Sequence, residues 1–132
     1  MRKKMQLQRH MSLWVCEARH DHPACPPENF FFPKGKVNEI LEGGHNNARA
    51  WEEYAIQRAH DFSMHGVKKI DLYVTGHGCA LISAIKALHH DKVEVQLYHY
   101  DDDSGQYFRQ DPYKMEYYGG NFYIPKRPKG VS

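Results

Sequence analysis

The sequence predicts an α/β protein, a small three-layer Rossmann-like domain whose sheet is mainly parallel and ends in a C-terminal antiparallel hairpin. Three observations predict it. Apolar runs rich in strand formers alternate with helical patterns, so the chain reads as successive βα units. Short crossovers of this kind are right-handed and make the strands parallel. Near the end, the turn cluster Asp101-Asp102-Asp103-Ser104-Gly105 separates two strand-like runs, the pattern of a hairpin. With 132 residues, 41% of them apolar, the chain is long enough for one core and too short for two. It is read as a single domain over 1–132, with frayed ends at 1–10 and 125–132.

The first strand is expected over 11–18, an apolar and partly β-branched run stopped by Arg19-His20-Asp21-His22-Pro23. A long loop is expected over 23–46, because Pro23, Pro26, Pro27, Pro33, Gly35 and Gly43-Gly44 punctuate it throughout. Within it, Phe30-Phe31-Phe32 suggests that the loop packs down. Asn46 or Asn47 can cap the next helix, Glu52 and Glu53 sit near its positive end, and Gly66 supplies a left-handed stop. Trp51, Ala55, Ala59 and Phe62 form its core stripe. The run over 70–75 is a second strand that meets a tight turn at Gly76-His77-Gly78. The helix over 79–90 carries Leu81, Ala84, Ile85 and Leu88 on one face, widened by Ala80, Ile82 and Ala87, so it is covered on more than one side. After Asp91-Lys92, residues 93–100 alternate as a strand with two unlike faces, 106–109 fold back as its partner, and 117–124 can add one more strand.

The charge balance excludes several classes of function. Eighteen Lys and Arg against sixteen Asp and Glu, with ten neutral His, give no signature of bulk nucleic-acid binding. No apolar run approaches the ~18 residues that a membrane helix needs. The basic opening Met1-Arg2-Lys3-Lys4 is not followed by a signal core. A soluble, cytoplasmic protein is expected, and three Cys at low density argue for free thiols rather than a disulfide framework.

In open sheets of this kind, ligands bind beyond the carboxyl ends of the strands. Two segments should meet there. The turn Thr75-Gly76-His77-Gly78-Cys79 opens a helix, whose free N–H groups favour an anion such as phosphate; a strand-to-helix turn needing glycine for its own sake is the plainer account. Arg19-His20, directly after the first strand, sets a fixed cation beside an imidazole that can act as acid, base or nucleophile. Arg49, near the start of a helix, is a third candidate ligand contact.

The succession Leu72-Tyr73-Val74-Thr75-Gly76, an apolar helix to Leu88, then Leu97-Tyr98-His99-Tyr100-Asp101 and Ser104-Gly105-Gln106-Tyr107-Phe108 resembles small CRISPR-associated Rossmann-fold (CARF-like) proteins over 71–110. That resemblance implies a role in antiviral defence and a cyclic oligoadenylate cradled across a homodimer. It implies Thr75, Gly76, His77, Gly78 and Ser83 as contacts, and leaves open whether His77 binds or also catalyses. Arg19-His20 with a later Gly76-His77 also resembles the histidine phosphatase superfamily. This second resemblance implies His20 as the phosphorylated nucleophile, with Arg19 and His77 in the phosphate pocket. Asp21 stands where that family has glycine, and the 56 residues from His20 to His77 are fewer than its fold usually spends there.

Other clusters have plainer uses. Cys16, His20, His22 and Cys25 have zinc-ligand chemistry, but their spacing fits none of the common sites, so no metal is expected. Asp101-Asp102-Asp103 reads as turn chemistry rather than a cation site. Tyr98, Tyr100, Tyr107, Phe108, Tyr113, Tyr117 and Tyr118 suit base stacking or a homodimer face, and the dimer is favoured. The expected function is binding of a phosphate-bearing nucleotide or cyclic oligonucleotide at the carboxyl edge, with slow phosphodiester cleavage by His20 and His77 left open. A histidine-dependent phosphohydrolase and a non-enzymatic adaptor are the alternatives. No cofactor is expected.

Overall fold

Four strands and three helices follow in the order β1 (His10–Trp14), α1 (Lys34–Glu42), α2 (Ala48–Met64), β2 (Lys69–Tyr73), α3 (Gly78–His90), β3 (Glu94–Asp101) and β4 (Gln106–Gln110). They are seen in a computed structural model that describes residues 9–17, 30–43 and 48–115. The sheet order is β1-β2-β3-β4, parallel across the first three strands and antiparallel at β3/β4. The α/β class, the mainly parallel sheet and the closing hairpin are therefore all present.

The strand order sets where the described helices lie. Because β1, β2 and β3 step across the sheet in one direction, right-handed crossovers carry both connections over the same face. Helices α2 and α3 accordingly pack on each other. Leu13, Ile70, Leu72, Val95 and Leu97 alternate onto the helical face and are buried. Trp51, Ala55 and Ala59 of α2 and Ala80, Ser83, Ala84 and Ala87 of α3 are buried as well. Most of these are small, which lets the two helices approach closely. Ile82, expected to widen the apolar face, is instead 57% exposed: α3 is covered by the sheet and by α2, and the buried arc turns away from Ile82 to take in Ser83.

The long loop expected over 23–46 contains α1. Pro33 sits at its N-cap with φ −63°, a conformation that proline holds ready for a helix start, and Val37, Ile40 and Leu41 recur at helical spacing. Prolines and glycines nearby concealed that periodicity. The aromatic block does pack down: Phe31 N–H donates to the Trp14 carbonyl (2.7 Å) and Phe32 N–H to that of Val15 (2.9 Å), with both rings fully buried. Arg58 of α2 donates to the Phe30 and Phe31 carbonyls at 2.7 and 3.1 Å. His10, placed in a frayed end by the sequence, opens β1. The strand expected over 117–124 lies outside the described residues.

Opposite the helices, Trp14, Tyr73, Tyr98 and Tyr107 share the other face of the sheet. Tyr73 and Tyr98 stack (centroids 5.1 Å, 18°), and Tyr107 meets Tyr73 edge-on at 5.0 Å. The rings use one another's faces, so the cluster acts as a small second core rather than an open stacking platform.

Both long helices end in the same hydrogen-bonded device. Gly66 (φ +86°) donates to the Ser63 carbonyl while Val67 donates to that of Phe62. Lys92 donates to His89 while Val93 donates to Leu88. Lys92 occupies the left-handed position with φ +61°, where a side chain costs about 1–2 kcal/mol. Lys92→Gly is expected to raise the melting temperature by the equivalent of about 0.5 kcal/mol, once the extra chain entropy of glycine is offset. Gly66→Ala is expected to lower it by about 1 kcal/mol. Thermal unfolding of the two variants checks both signs.

Candidate functional site

The carboxyl ends of β1 and β2 are joined beyond their ladder by one side chain. Thr75 Oγ1 donates to the Cys16 carbonyl (2.7 Å) and accepts from the Cys16 N–H (3.2 Å), while the Cys16 thiol donates to the Thr75 carbonyl (3.6 Å). The next residue, Gly76, has φ +76°, and an added Cβ there would collide with Cys16 Sγ. Glycine is thus required twice at this position, by backbone conformation and by the thiol beneath it. Burial pushes the Cys16 thiol pKa up. Hydrogen bonding from the His77 backbone and from Thr75 pulls the other way, and Glu17 adds to the rise.

From this clamp the chain passes directly into α3. His77 is the N-cap, in extended conformation (φ −85°, ψ 136°), and its side chain makes no capping hydrogen bond. Gly76, His77, Gly78 and Cys79 are exposed, and nothing lies within 4 Å of where a Gly78 Cβ would be. The His77 ring lies 5.4 Å from that of Trp51, which is itself fully buried near the start of α2. The amino ends of α2 and α3 therefore open side by side at the carboxyl edge of the sheet. Helix dipoles favour negative charge at such amino ends, and that of α3 has no side-chain cap.

The expected site residues are sorted unevenly by this geometry. Gly76, His77 and Gly78 do lie at the rim. Thr75 lies there too, but its hydroxyl is engaged in the clamp. Ser83 is only 3% exposed and has no open surface to offer a ligand, a correction to its reading as a contact: its turn of α3 falls in the buried arc. Arg49 is solvent-facing at the start of α2 and pairs with Glu53 at 2.9 Å. Glu52, expected at the positive end of α2, reaches across to Lys86 of α3 at 2.6 Å. Arg19, His20, His22 and Cys25 lie outside the described residues. Among the described residues, no group of three His, Cys, Asp or Glu could hold a metal. The Asp101 cluster is a turn: Asp103 N–H donates to Asp101 Oδ1, and Gly105 N–H to the Asp101 carbonyl.

One pair was not anticipated. His10 Nε2 lies 2.8 Å from Asp71 Oδ2 on the sheet face away from the helices, with His10 half exposed and Asp71 mostly buried. The two are 61 residues apart, and only the parallel register of β1 on β2 brings them together.

No family model, curated protein or solved structure matches this chain. Among the described residues, no helix is long and apolar enough to cross a membrane.

Gly76→Ala is expected to destabilise the fold by about 2–4 kcal/mol, combining overpacking against Cys16 with a left-handed side chain. Cys16→Ala in the same chain should recover part of that loss, which a double-mutant cycle in denaturant measures. The raised Cys16 pKa favours the neutral thiol in the folded state. Its contribution is therefore present below the ordinary thiol range and is lost as pH rises through the folded-state value. Denaturation midpoints should fall on the alkaline side in the parent chain and fall less in Cys16→Ala.

Proposed function

We propose that this chain binds a phosphate-bearing nucleotide or cyclic oligonucleotide at the rim where α2 and α3 begin. The observation that carries the reading is the first turn of α3, which has no side-chain cap and opens beside exposed Gly76, His77 and Gly78. The clamp supports it further. Cys16 is tied to the rim, and Arg19 follows three residues later, within a reach of about 10 Å along an extended chain. In this reading Arg19 supplies a fixed cation and His77 an exposed imidazole, with His20 beside Arg19. If the ligand is an oligoribonucleotide, cleavage needs a ribose 2′-OH held in line with its phosphate and charge stabilisation by Arg19 or His77. Assembly as a homodimer belongs to the same reading.

Gly78→Pro tests this with little risk to the fold. Proline is favoured at the first helical position, and the extended backbone of His77 suits a residue preceding proline. The substitution keeps α3 and removes one N–H donor. In a thermal-shift screen of mononucleotides, dinucleotides and cyclic oligonucleotides, a true ligand at a hundredfold excess over its Kd should stabilise the parent chain by about 2.7 kcal/mol. Gly78→Pro should keep the parental melting temperature without ligand and shift less with it. Equal shifts in the two chains, or none across the screen, would sink the reading. Turnover of p-nitrophenyl phosphate that disappears in His20→Ala would point instead to a histidine-dependent phosphohydrolase.

A further inference from the structure

We propose that the pocket between α1 and α2 binds a free α-amino acid with an apolar side chain. The pocket has a volume of about 290 Å³ and is walled by Lys36, Glu39 and Ile40 of α1 and by Glu53, Tyr54 and Gln57 of α2. That is the lower end of the range for small-molecule sites, and it suits a ligand with a single side chain. Its floor is apolar and firm. Ile40 belongs to the buried core, and the Tyr54 ring packs on that of Phe32 with centroids 5.3 Å apart. Above the floor, Lys36 is held in place. Its Nζ lies 3.1 Å from Glu39 Oε1 and 5.1 Å from the centre of the Tyr54 ring, and its side chain is only 31% exposed. Glu53 accepts from Arg49 Nε on Oε2 at 2.9 Å. Its Oε1, the Tyr54 hydroxyl and the Gln57 amide make no hydrogen bond within the described residues.

The charges of the wall indicate the ligand class. A simple anion placed here meets Glu39 and Glu53, and a simple cation meets Lys36, so each is opposed by a like charge. An α-amino acid carries both signs on one carbon and gives each wall a partner. Its carboxylate accepts from the Lys36 ammonium, which has three N–H donors and shares one with Glu39. Its ammonium donates to Glu53 Oε1 and to the oxygen of Gln57, one helical turn further along α2 on the same face. The ligand side chain then lies against Ile40 and the Tyr54 ring, out of water. Glu39 is 69% exposed and yields its place on Lys36 to the incoming carboxylate at little cost, because exposed ion pairs contribute little. Glu52, on the neighbouring stripe of α2, instead pairs with Lys86 of α3. Pocket and rim therefore use different residues, and the proposal is independent of any ligand at the rim.

Titration of the full chain with L-leucine and L-phenylalanine, followed by ¹H–¹⁵N correlation NMR, tests it. At least one of the two should give saturable shifts at millimolar concentration, largest at the backbone amides of α1 and of α2 around Glu53 to Gln57. The matching carboxylic acid without the amino group, and the matching amine without the carboxylate, should each bind about tenfold more weakly or worse, the loss expected for one charged hydrogen bond. Lys36→Met keeps the apolar stem and removes the charge, and Glu53→Gln keeps the shape and removes the charge. Each should weaken the amino acid by about the same factor. Should a variant disturb the fold, the acid and the amine ask the same question of the parent chain. No saturable shift with either amino acid, an acid or amine that binds as tightly as its amino acid, shifts centred away from α1 and α2, or a folded variant that binds like the parent would each overturn the proposal.

Discussion

The hydroxyl of Thr75 holds the carboxyl edge of this sheet together. By accepting the Cys16 N–H and donating to the Cys16 carbonyl, it continues the β1/β2 pairing one step past the last paired residues, Trp14 and Tyr73. This draws the Cys16 side chain beneath the turn that follows, and the thiol then leaves no space for a side chain at position 76. The turn must be glycine, it must take a positive φ, and it delivers the chain into α3 with His77 extended and no side-chain cap on the helix start. The rim is thus a consequence of packing beneath it. Half of what makes Thr75-Gly76-His77-Gly78 resemble a ligand loop is demanded by the fold alone, and what remains available to a ligand is the helix start, His77 and Gly78.

The same economy shapes the rest of the molecule. Strands that step in one direction put both crossovers on one face, so a single helical layer covers Leu13, Ile70, Leu72, Val95 and Leu97. On the reverse face, the cover that the described residues provide comes from side chains. There, Trp14 and the tyrosines cover the upper part with their own rings, while the shorter row Ser12, Asp71 and Gln96 runs below. Asp71 Oδ1 and Gln96 Nε2 are buried in that row without a hydrogen-bond partner, a destabilising feature offset in part by the bond from His10 to the other Asp71 oxygen. Among the described residues the strand order does not reverse, so these strands form no switch point of the kind at which doubly wound sheets bind ligands. Any anion site here depends on the helix ends of α2 and α3 rather than on a crevice between two helical layers.

Local chemistry made much of this legible in advance. The stripe of Trp51, Ala55 and Ala59 marked α2, Gly66 its stop, and the aspartates with Ser104-Gly105 the hairpin turn, because each signal acts within a few residues of itself. α1 was hidden because Pro33, Gly35 and Gly43 mark breaks when counted by composition, although Pro33 in fact starts the helix. Ile82 lies outside the buried arc because a helical stripe gives the width of that arc but not the direction of a second neighbour, whereas Ser83 was named as a contact only by the family resemblance, which carries no information on burial.

The sequence by itself determined the types and order of the elements other than α1, the parallel sheet with its closing hairpin, and the glycine turn at the head of α3, all set by short-range periodicity and backbone sterics. Tertiary structure decided which residues meet across long separations: Thr75 with Cys16, His77 with Trp51, and His10 with Asp71. It also decided that α2 and α3 pack on each other and that, among the described residues, β4 ends the sheet order. Those outcomes depend on strand order and register, and no local pattern encodes either, because they are fixed only when the whole chain closes around its core.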